Sequence, residues 1–352
     1  MKRLFIWMLL VAAGCAPSSN PPVIPKGTRQ VAIHITQAES NSYDTEFQRV
    51  KTLGVDVVPI TLPWNVLETP TGFDFSLLAI INTYYPANHV KVSLNVTPVY
   101  EISSSMPTDL LSRRFNDPLV KTRFNALLDS IHQKLPAAQI NNFILGLEVD
   151  NYLNGNPSAW ADYQAFYDSA RTHIRKIWGA AMKVGVETTF PSATGTSKAQ
   201  ILALNTHSDM MVLSYYPLNS DFTVRAPTDV HADVSAVISL YPSMPVFIVE
   251  CGYPTSAACN STEAQQQQFI IEMFKLWDAH ANSLNFMGFL WLTDLSDAVA
   301  NQYVSAYGGG NPGAQNAFRG YLQTTGLRTY TGNGSDKAGF TQLKKELAVR
   351  GW

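Results

Sequence analysis

The sequence predicts an α/β fold, closed as a single-domain (β/α)8 TIM barrel. Three observations point there. Strand-like and helix-like segments alternate along the chain in eight units, and strict alternation implies parallel strands joined by crossover helices. The strands are short and almost wholly apolar, as strands buried on both faces must be. No glycine-rich fingerprint follows the first strand, which disfavours an open dinucleotide-binding sheet. The chain beyond residue 28 is about 325 residues long, an ordinary size for one such barrel.

The units run in order. A strand over 30–35 precedes a helix over 44–53, which stops at Gly54. The apolar run 55–62 is the second strand, with a helix over 75–84. The third unit is 90–96 and 118–134. The fourth is 142–149 with a long helix over 158–178, where Phe166, Ala170, Ile174 and Ile177 form a stripe near the 3.6-residue period. The fifth strand, 183–188, leads to a short helix near 197–205. The sixth unit is 209–215 and 229–240, and the seventh is 245–250 and 262–283. The eighth strand, 286–291, is followed by a closing helix over 339–349.

The N-terminus carries a different signal. Lys2 and Arg3 precede an apolar run over 4–11, then Ala12-Ala13-Gly14-Cys15. A charged start, a short apolar core and small residues at the end make a secretory signal. The run is too short to span a bilayer, which takes about 20 apolar residues. The Ala-Ala-Gly-Cys ending resembles the bacterial lipobox. That resemblance implies cleavage before Cys15 and lipidation of Cys15. Residues 1–14 are then the signal peptide, 15–28 the lipidated cysteine and a Ser/Asn/Pro/Gly-rich tether, and 29–352 the barrel. The expected product is an exported bacterial lipoprotein at the periplasmic face of a membrane or the cell surface, attached through its lipid only.

Charge narrows the function classes. Charged residues are 15% of the chain and the net charge is −2, without the basic stripe of a nucleic-acid binder. Hydrophobic residues are 46%, enough for a large core, and a monomer is expected. Two cysteines besides Cys15 remain, Cys251 and Cys259. In an oxidising compartment they can pair; alternatively Cys251, directly after a strand, is a buried thiol. No Cys/His spacing suggests zinc.

In such barrels the active site lies at the C-terminal ends of the strands. The residues expected there are His34 and Glu39; Trp64, Asn65 and Glu68; Asn95, Tyr100 and Glu101; Glu148, Asp150 and Asn151; Glu187; Ser214, Tyr215 and Tyr216; Glu250; and Trp291 and Asp294. Glu148 and Glu250 stand out, because each ends a strongly apolar strand. A carboxylate there is costly unless it is paired or used. Two carboxylates facing one mouth are what retaining glycoside hydrolysis needs: one protonates the leaving oxygen and the other attacks the sugar. Otherwise each would merely pair with a cation on a neighbouring loop.

These residues carry a resemblance. The chain looks like a clan A glycoside hydrolase, the group of retaining (β/α)8 enzymes with an acid/base glutamate after the fourth strand and a nucleophilic glutamate after the seventh. Three further stretches fit. Residues 62–68 (LPWNVLE), with Gly72-Phe73-Asp74-Phe75, resemble the clan's segment after the second strand. Residues 249–255 (VECGYPT) are similar to the nucleophile segment of endo-β-1,4-galactanases and plant-type β-1,3-glucanases. Trp291 matches the clan's sugar-platform tryptophan. The resemblance implies Glu148 as acid/base, Glu250 as nucleophile, a carbohydrate substrate, and neither metal nor organic cofactor. One position departs: the clan usually has asparagine before the acid/base, holding the sugar 2-hydroxyl, and this chain has Leu147. Asn95 or Asn151 would have to supply that contact.

The resemblance also implies that Tyr215, or Tyr216 in the alternative register, hydrogen-bonds the nucleophile. Trp64 and Trp291 would stack on sugar rings, and His34 and Asn95 would line the deep subsite. For each aromatic, and for His34, a purely structural place in the core is the competing reading. Glu68, Glu187 and Asp294 are expected as rim carboxylates, solvated or in loop ion pairs, with Glu101 in reserve should Glu148 not serve. Leu147 supports a second function class, a carbohydrate-binding lipoprotein that keeps the barrel without turnover.

Overall fold

The computed structural model describes residues 22–35, 42–307, 312–330 and 334–352. Cys15, the signal segment and the tether up to residue 21 lie outside the described residues, as does Glu39. No described helix is long and apolar enough to cross a membrane.

Eight parallel strands form the predicted barrel. They are β1 (Gln30–Ile33), β2 (Val57–Pro63), β3 (Lys91–Tyr100), β4 (Ile140–Leu147), β5 in two pieces (Val184–Gly185 and Glu187–Thr189), β6 (Met211–Tyr215), β7 (Val246–Cys251) and β8 (Leu284–Phe289). One ladder runs β1-β8-β7-β6-β5 and another β2-β3-β4-β5. The break at Val186 lets the first piece of β5 pair with β4 and the second with β6. β8 pairs with β1, and β1 packs against β2, which closes the ring.

Alternation sorts the side chains into two layers. Ala32, Val57, Ile144, Met210, Val212, Phe247, Val249 and Phe286 fill the barrel interior, with Phe247 stacked on Phe286 at 5.5 Å. Their sequence neighbours face outward onto the helices. The helix Ala159–Trp178 buries Phe166, Ala170 and Ile174, with Ile177 half-buried beside them. Full burial of each large apolar side chain contributes about 1.5–3 kcal/mol. At the base, Asp278 accepts from Arg29 Nη1 at 2.9 Å and from Arg350 Nη2 at 2.6 Å, all three buried. That pairing clamps the approach to β1 onto the closing helix Ala338–Arg350.

Besides short helices of four to six residues, two longer helices were not foreseen: Asp297–Tyr307 and Pro312–Thr324, in the connection after β8. They pack through Ala300, Phe318, Tyr321 and Leu322 onto Trp291 and Leu295, so the connection forms a cap beside the mouth. The expected pairing of Cys251 with Cys259 is corrected: both are free, buried thiols. Cys251 faces the layer between barrel and helices, while Cys259 belongs to the separate cluster under the cap. Cys259 Sγ lies 3.2 Å from the Ala317 carbonyl oxygen.

Candidate active site

Glu148 and Glu250 both lie at the C-terminal mouth, half-buried. The last residue but one of β4 is Gly146, at φ +94°, where a Cβ would meet Val149 Cγ1 at 2.3 Å and Tyr163 Oη at 2.5 Å. Two residues later Glu148 itself adopts φ 44°, ψ 50°. A non-glycine residue in the left-handed region costs about 1–2 kcal/mol, and such costs collect at functional positions. The turn leads into the short helix Val149–Asn154. Asp150, one residue on, accepts from Thr189 N at 2.9 Å and Thr189 Oγ1 at 2.7 Å, tying this turn to the end of β5.

β6 and the residue just after it hold both carboxylates. Ser214 Oγ donates to Glu148 Oε1 at 2.5 Å, and Tyr216 Oη donates to Glu250 Oε2 at 3.0 Å. Residues two apart share one face of a strand, so Ser214 and Tyr216 both enter the mouth. Tyr215 points the other way, is fully buried, and donates to Asp233 Oδ2 at 2.9 Å. The alternative register is therefore the right one: Tyr216, not Tyr215, touches Glu250. Asn151 Nδ2 supplies the second contact to Glu148, at 2.9 Å on Oε2.

Burial pushes the Glu148 carboxyl up to about 8, reinforced by the charge of Glu250; the Ser214 hydrogen bond works in the opposite direction. Burial also raises Glu250, to about 7, against the lowering effect of the Tyr216 hydrogen bond. Beyond burial, the charge of Glu250 raises both Glu148 and the nearby Glu187, so the three acids are electrostatically linked.

Several expected roles are corrected. Trp64 is fully buried, donates Nε1 to Glu68 Oε2 at 2.7 Å, and packs edge-on against Phe124 at 4.9 Å; the core reading holds and it offers no platform. Glu68 also receives Arg123 Nε at 3.0 Å, an ion pair as expected, but it is buried rather than on a rim and its partner stands on the helix Pro118–Lys134. Asp294 has its partner in Lys337, at 2.6 Å, but both are buried rather than on a rim. Glu187 is no rim carboxylate either. It is only 1% exposed, because the second piece of β5 turns it into the barrel beneath the pair. Asn95 Nδ2 reaches its Oε2 at 3.4 Å and the Gly146 carbonyl at 3.3 Å. Glu187 Oε1 and Asn95 Oδ1 have no hydrogen-bond partner among the described residues. Burial, then the charges of Glu250 and Glu148, hold the Glu187 carboxyl well above the usual carboxylate range.

His34 Nε2 donates to the Val249 carbonyl at 2.8 Å, so the ring is engaged with β7. Burial lowers it to about 4, leaving it neutral. Trp291 is 6% exposed and packs 6.2 Å from Tyr321, in the cluster under the cap. Sequence reasoning missed Tyr303, Tyr307 and Tyr321, which come from the unforeseen helices. Tyr307 hydrogen-bonds Glu101, and Tyr303 hydrogen-bonds Tyr100. Tyr321 sets its ring edge-on to Tyr216 at 5.6 Å. The four-residue spacing of Tyr303 and Tyr307, one helical face, was the available signal.

No family model matches the sequence, and no curated protein matches it. Solved structures do resemble it in shape. An exo-β-1,4-mannosidase from Opitutaceae bacterium strain TAV5 superposes with a TM-score of 0.67 at 15% identity, over 94% of this chain. This chain spans only 61% of that mannosidase. The likeness shows the fold, a (β/α)8 barrel. A GH5_18 protein from Streptomyces cattleya, in complex with GlcNAc, gives 0.65 at 12% identity, covering 91% of this chain and 80% of that one. The GH53 catalytic domain of Ignisphaera aggregans gives 0.66 at 13%, covering 94% and 98%.

Proposed function

We propose that the protein is a glycoside hydrolase that cleaves a β-glycosidic bond with retention, Glu148 serving as general acid and then base, and Glu250 as nucleophile. The observation that carries this is the division of labour along β6: Ser214 on Glu148 and, two residues on, Tyr216 on Glu250. Each carboxyl has its own partner, and the two differ in proton affinity in the useful direction. Glu148, raised to about 8, keeps a proton to give. Glu250, at about 7, is the one more readily ionised. Paired carboxyls with separated affinities are the signature of acid/base assignment.

The chemistry balances with these two groups alone. Glu148 passes its proton to the glycosidic oxygen as the C1–O bond breaks, and a Glu250 carboxylate oxygen bonds to C1 from the opposite face. The aglycone leaves as an alcohol. Water then gives a proton to the Glu148 carboxylate while its oxygen attacks C1, and Glu250 leaves as carboxylate. The substrate we infer is an oligo- or polysaccharide; the mannosidase and the GlcNAc complex among the similar structures support a carbohydrate. The lipobox-like Ala12-Ala13-Gly14-Cys15 supports an exported, lipid-tethered enzyme acting on polymers outside the cytoplasm.

A second reading, a sugar-binding lipoprotein without turnover, is favoured by Leu147, which is 6% exposed and has no polar group to offer. One experiment separates the two. A panel of β-linked polysaccharides (galactan, β-1,3-glucan, β-1,4-glucan, mannan) is incubated with the protein and its Glu250→Ala variant. Sugar release by the wild type alone is the expected result. Equal release by both removes Glu250 from the mechanism, and binding without release by either selects the second reading.

A further inference from the structure

On β7 the alternation of side chains should fail Glu250. Ile248 faces outward into the helix layer and Val249 faces the barrel interior. Strict alternation would send Glu250 outward, away from the mouth. The ladders show how it is turned back. Against β6, Leu213 pairs with Ile248 but Ser214 pairs with Glu250. Against β8, Met287 pairs with Ile248 and Phe289 with Cys251. Both neighbours register one extra residue in β7 at the same place, a β-bulge that re-aims the side chains after it. Glu250 then stands beside Ser214, facing the mouth, and Cys251 returns to the outer layer.

Two residues from other strands seat this bulge. The carbonyl of Val249 accepts from His34 Nε2, beyond the end of β1, at 2.8 Å. His34 is itself fixed by its backbone, with its N–H on the Phe289 carbonyl at 3.0 Å and its carbonyl accepting from Leu292 N at 2.8 Å. On β8, a Cβ at Gly288 would lie 2.1 Å from the Val249 oxygen, 2.9 Å from its carbonyl carbon and 3.3 Å from His34 Nε2. The first two contacts are with backbone, so no rotamer change relieves them.

We infer that His34 and Gly288 are positioning residues for Glu250: they fix the Val249 bulge, and through it the aim of the nucleophile. This rests on the glycosidase reading for its kinetic consequence, but not for its geometric one. Misplacement of a reacting group by about 1 Å can cost on the order of 100-fold in rate.

The test uses the full chain with Gly288→Ala, His34→Leu and His34→Gln, the last keeping an N–H donor. Val237→Ala, in the outer helix Val230–Leu240, serves as the control for lost stability. Two readouts are taken: kcat and KM on the substrate found in the panel, and the titration of the Glu250 carboxyl by 13C NMR, assigned by difference from Glu250→Gln. Gly288→Ala and His34→Leu should lower kcat about 100-fold with KM within about threefold, and should move the Glu250 midpoint away from about 7. His34→Gln should restore most of both, and Val237→Ala should lose stability while leaving both unchanged. Wild-type kcat and an unmoved midpoint in Gly288→Ala and His34→Leu would overturn the inference, as would an equal kcat loss in Val237→Ala. If the wild type cleaves no glycoside, the glycosidase reading falls, and the carboxyl titration alone decides this one.

Discussion

Replacing Tyr216 by Phe tests how the pair divides its protons. The ring packs edge-on against Tyr321 at 5.6 Å, and phenylalanine preserves that contact. What is lost is one hydrogen bond, 3.0 Å long, to Glu250 Oε2. It favours the ionised carboxylate, so its removal raises the proton affinity of Glu250. A hydrogen bond to a charged group contributes about 1.5–3 kcal/mol. At 1.36 kcal/mol per pH unit, that is a shift of about 1–2 units.

The starting points make this shift consequential. Glu250 begins at about 7 and Glu148 at about 8. The competent form has Glu250 ionised and Glu148 protonated, and between those values it is the major species. Raising Glu250 to about 8–9 places it level with or above Glu148. The competent form is then a minority species at every pH, because the proton goes to the nucleophile first. In kcat/KM against pH, the acidic limb should move up by about 1 unit, to the Glu148 value, with any further shift appearing in the alkaline limb, and the maximum should fall about 2–10-fold from ionisation alone. Sugar release measured across the two limbs at constant ionic strength reads both quantities. An acidic limb that stays put or moves down would refute the assignment of Tyr216 as the group that favours charged Glu250. A uniform rate loss with unmoved limbs would do the same.

Two further perturbations probe the scaffold. Glu187→Gln replaces a buried acid whose folded-state proton affinity is raised, chiefly by burial. Such a group contributes stability that is fully present below its unfolded value and is lost as pH rises through its folded one. Thermal unfolding should therefore show variant and wild type alike near about pH 4 and the variant the more stable at alkaline pH; the opposite trend would show that Glu187 is stabilised as an anion. Asp278→Ala leaves Arg29 and Arg350 buried without their shared counter-ion. Breaking such a buried set by removing one member costs about 3–5 kcal/mol, measurable by denaturant unfolding; a loss under about 1 kcal/mol would mean that solvent reaches the two guanidinium groups.

The barrel was legible because its signals are local and repeated. The helix Pro118–Lys134 falls on its predicted bounds, with Asp117 accepting from Leu119 N at 2.8 Å to start it. The strand ends were nearly as clear, and they placed Glu148 and Glu250 at the mouth. Other features depended on partners distant in sequence. Trp64 could be a sugar platform or core until Phe124 and Glu68 are seen to enclose it. Tyr215 and Tyr216 could not be ordered without knowing which face of β6 meets the interior. Glu187 looked like a rim residue because β5 is broken at Val186, and a short, broken strand gives a weak period. The first cap helix went unseen because only its Ala300 is buried, so almost no apolar stripe marks it. The bulge at Val249 has no signature in β7 itself; it is visible only in the register with β6 and β8.

Leu147 deserves to be weighed against this machinery. It removes one donor from the sugar's side of the site, a loss that bears on rate. It touches neither the Ser214 contact to Glu148 nor the Tyr216 contact to Glu250. A barrel kept only to bind sugar would gain by making both carboxyls neutral amides, since every unit of raised proton affinity costs about 1.4 kcal/mol once the group must ionise. This chain instead keeps both acids, holds Glu148 in a left-handed backbone conformation at φ 44°, and bends β7 to bring Glu250 round. A bent strand and a left-handed turn that serve no common core contact, yet converge on two acids in one mouth, are better accounted for by bond-breaking than by binding.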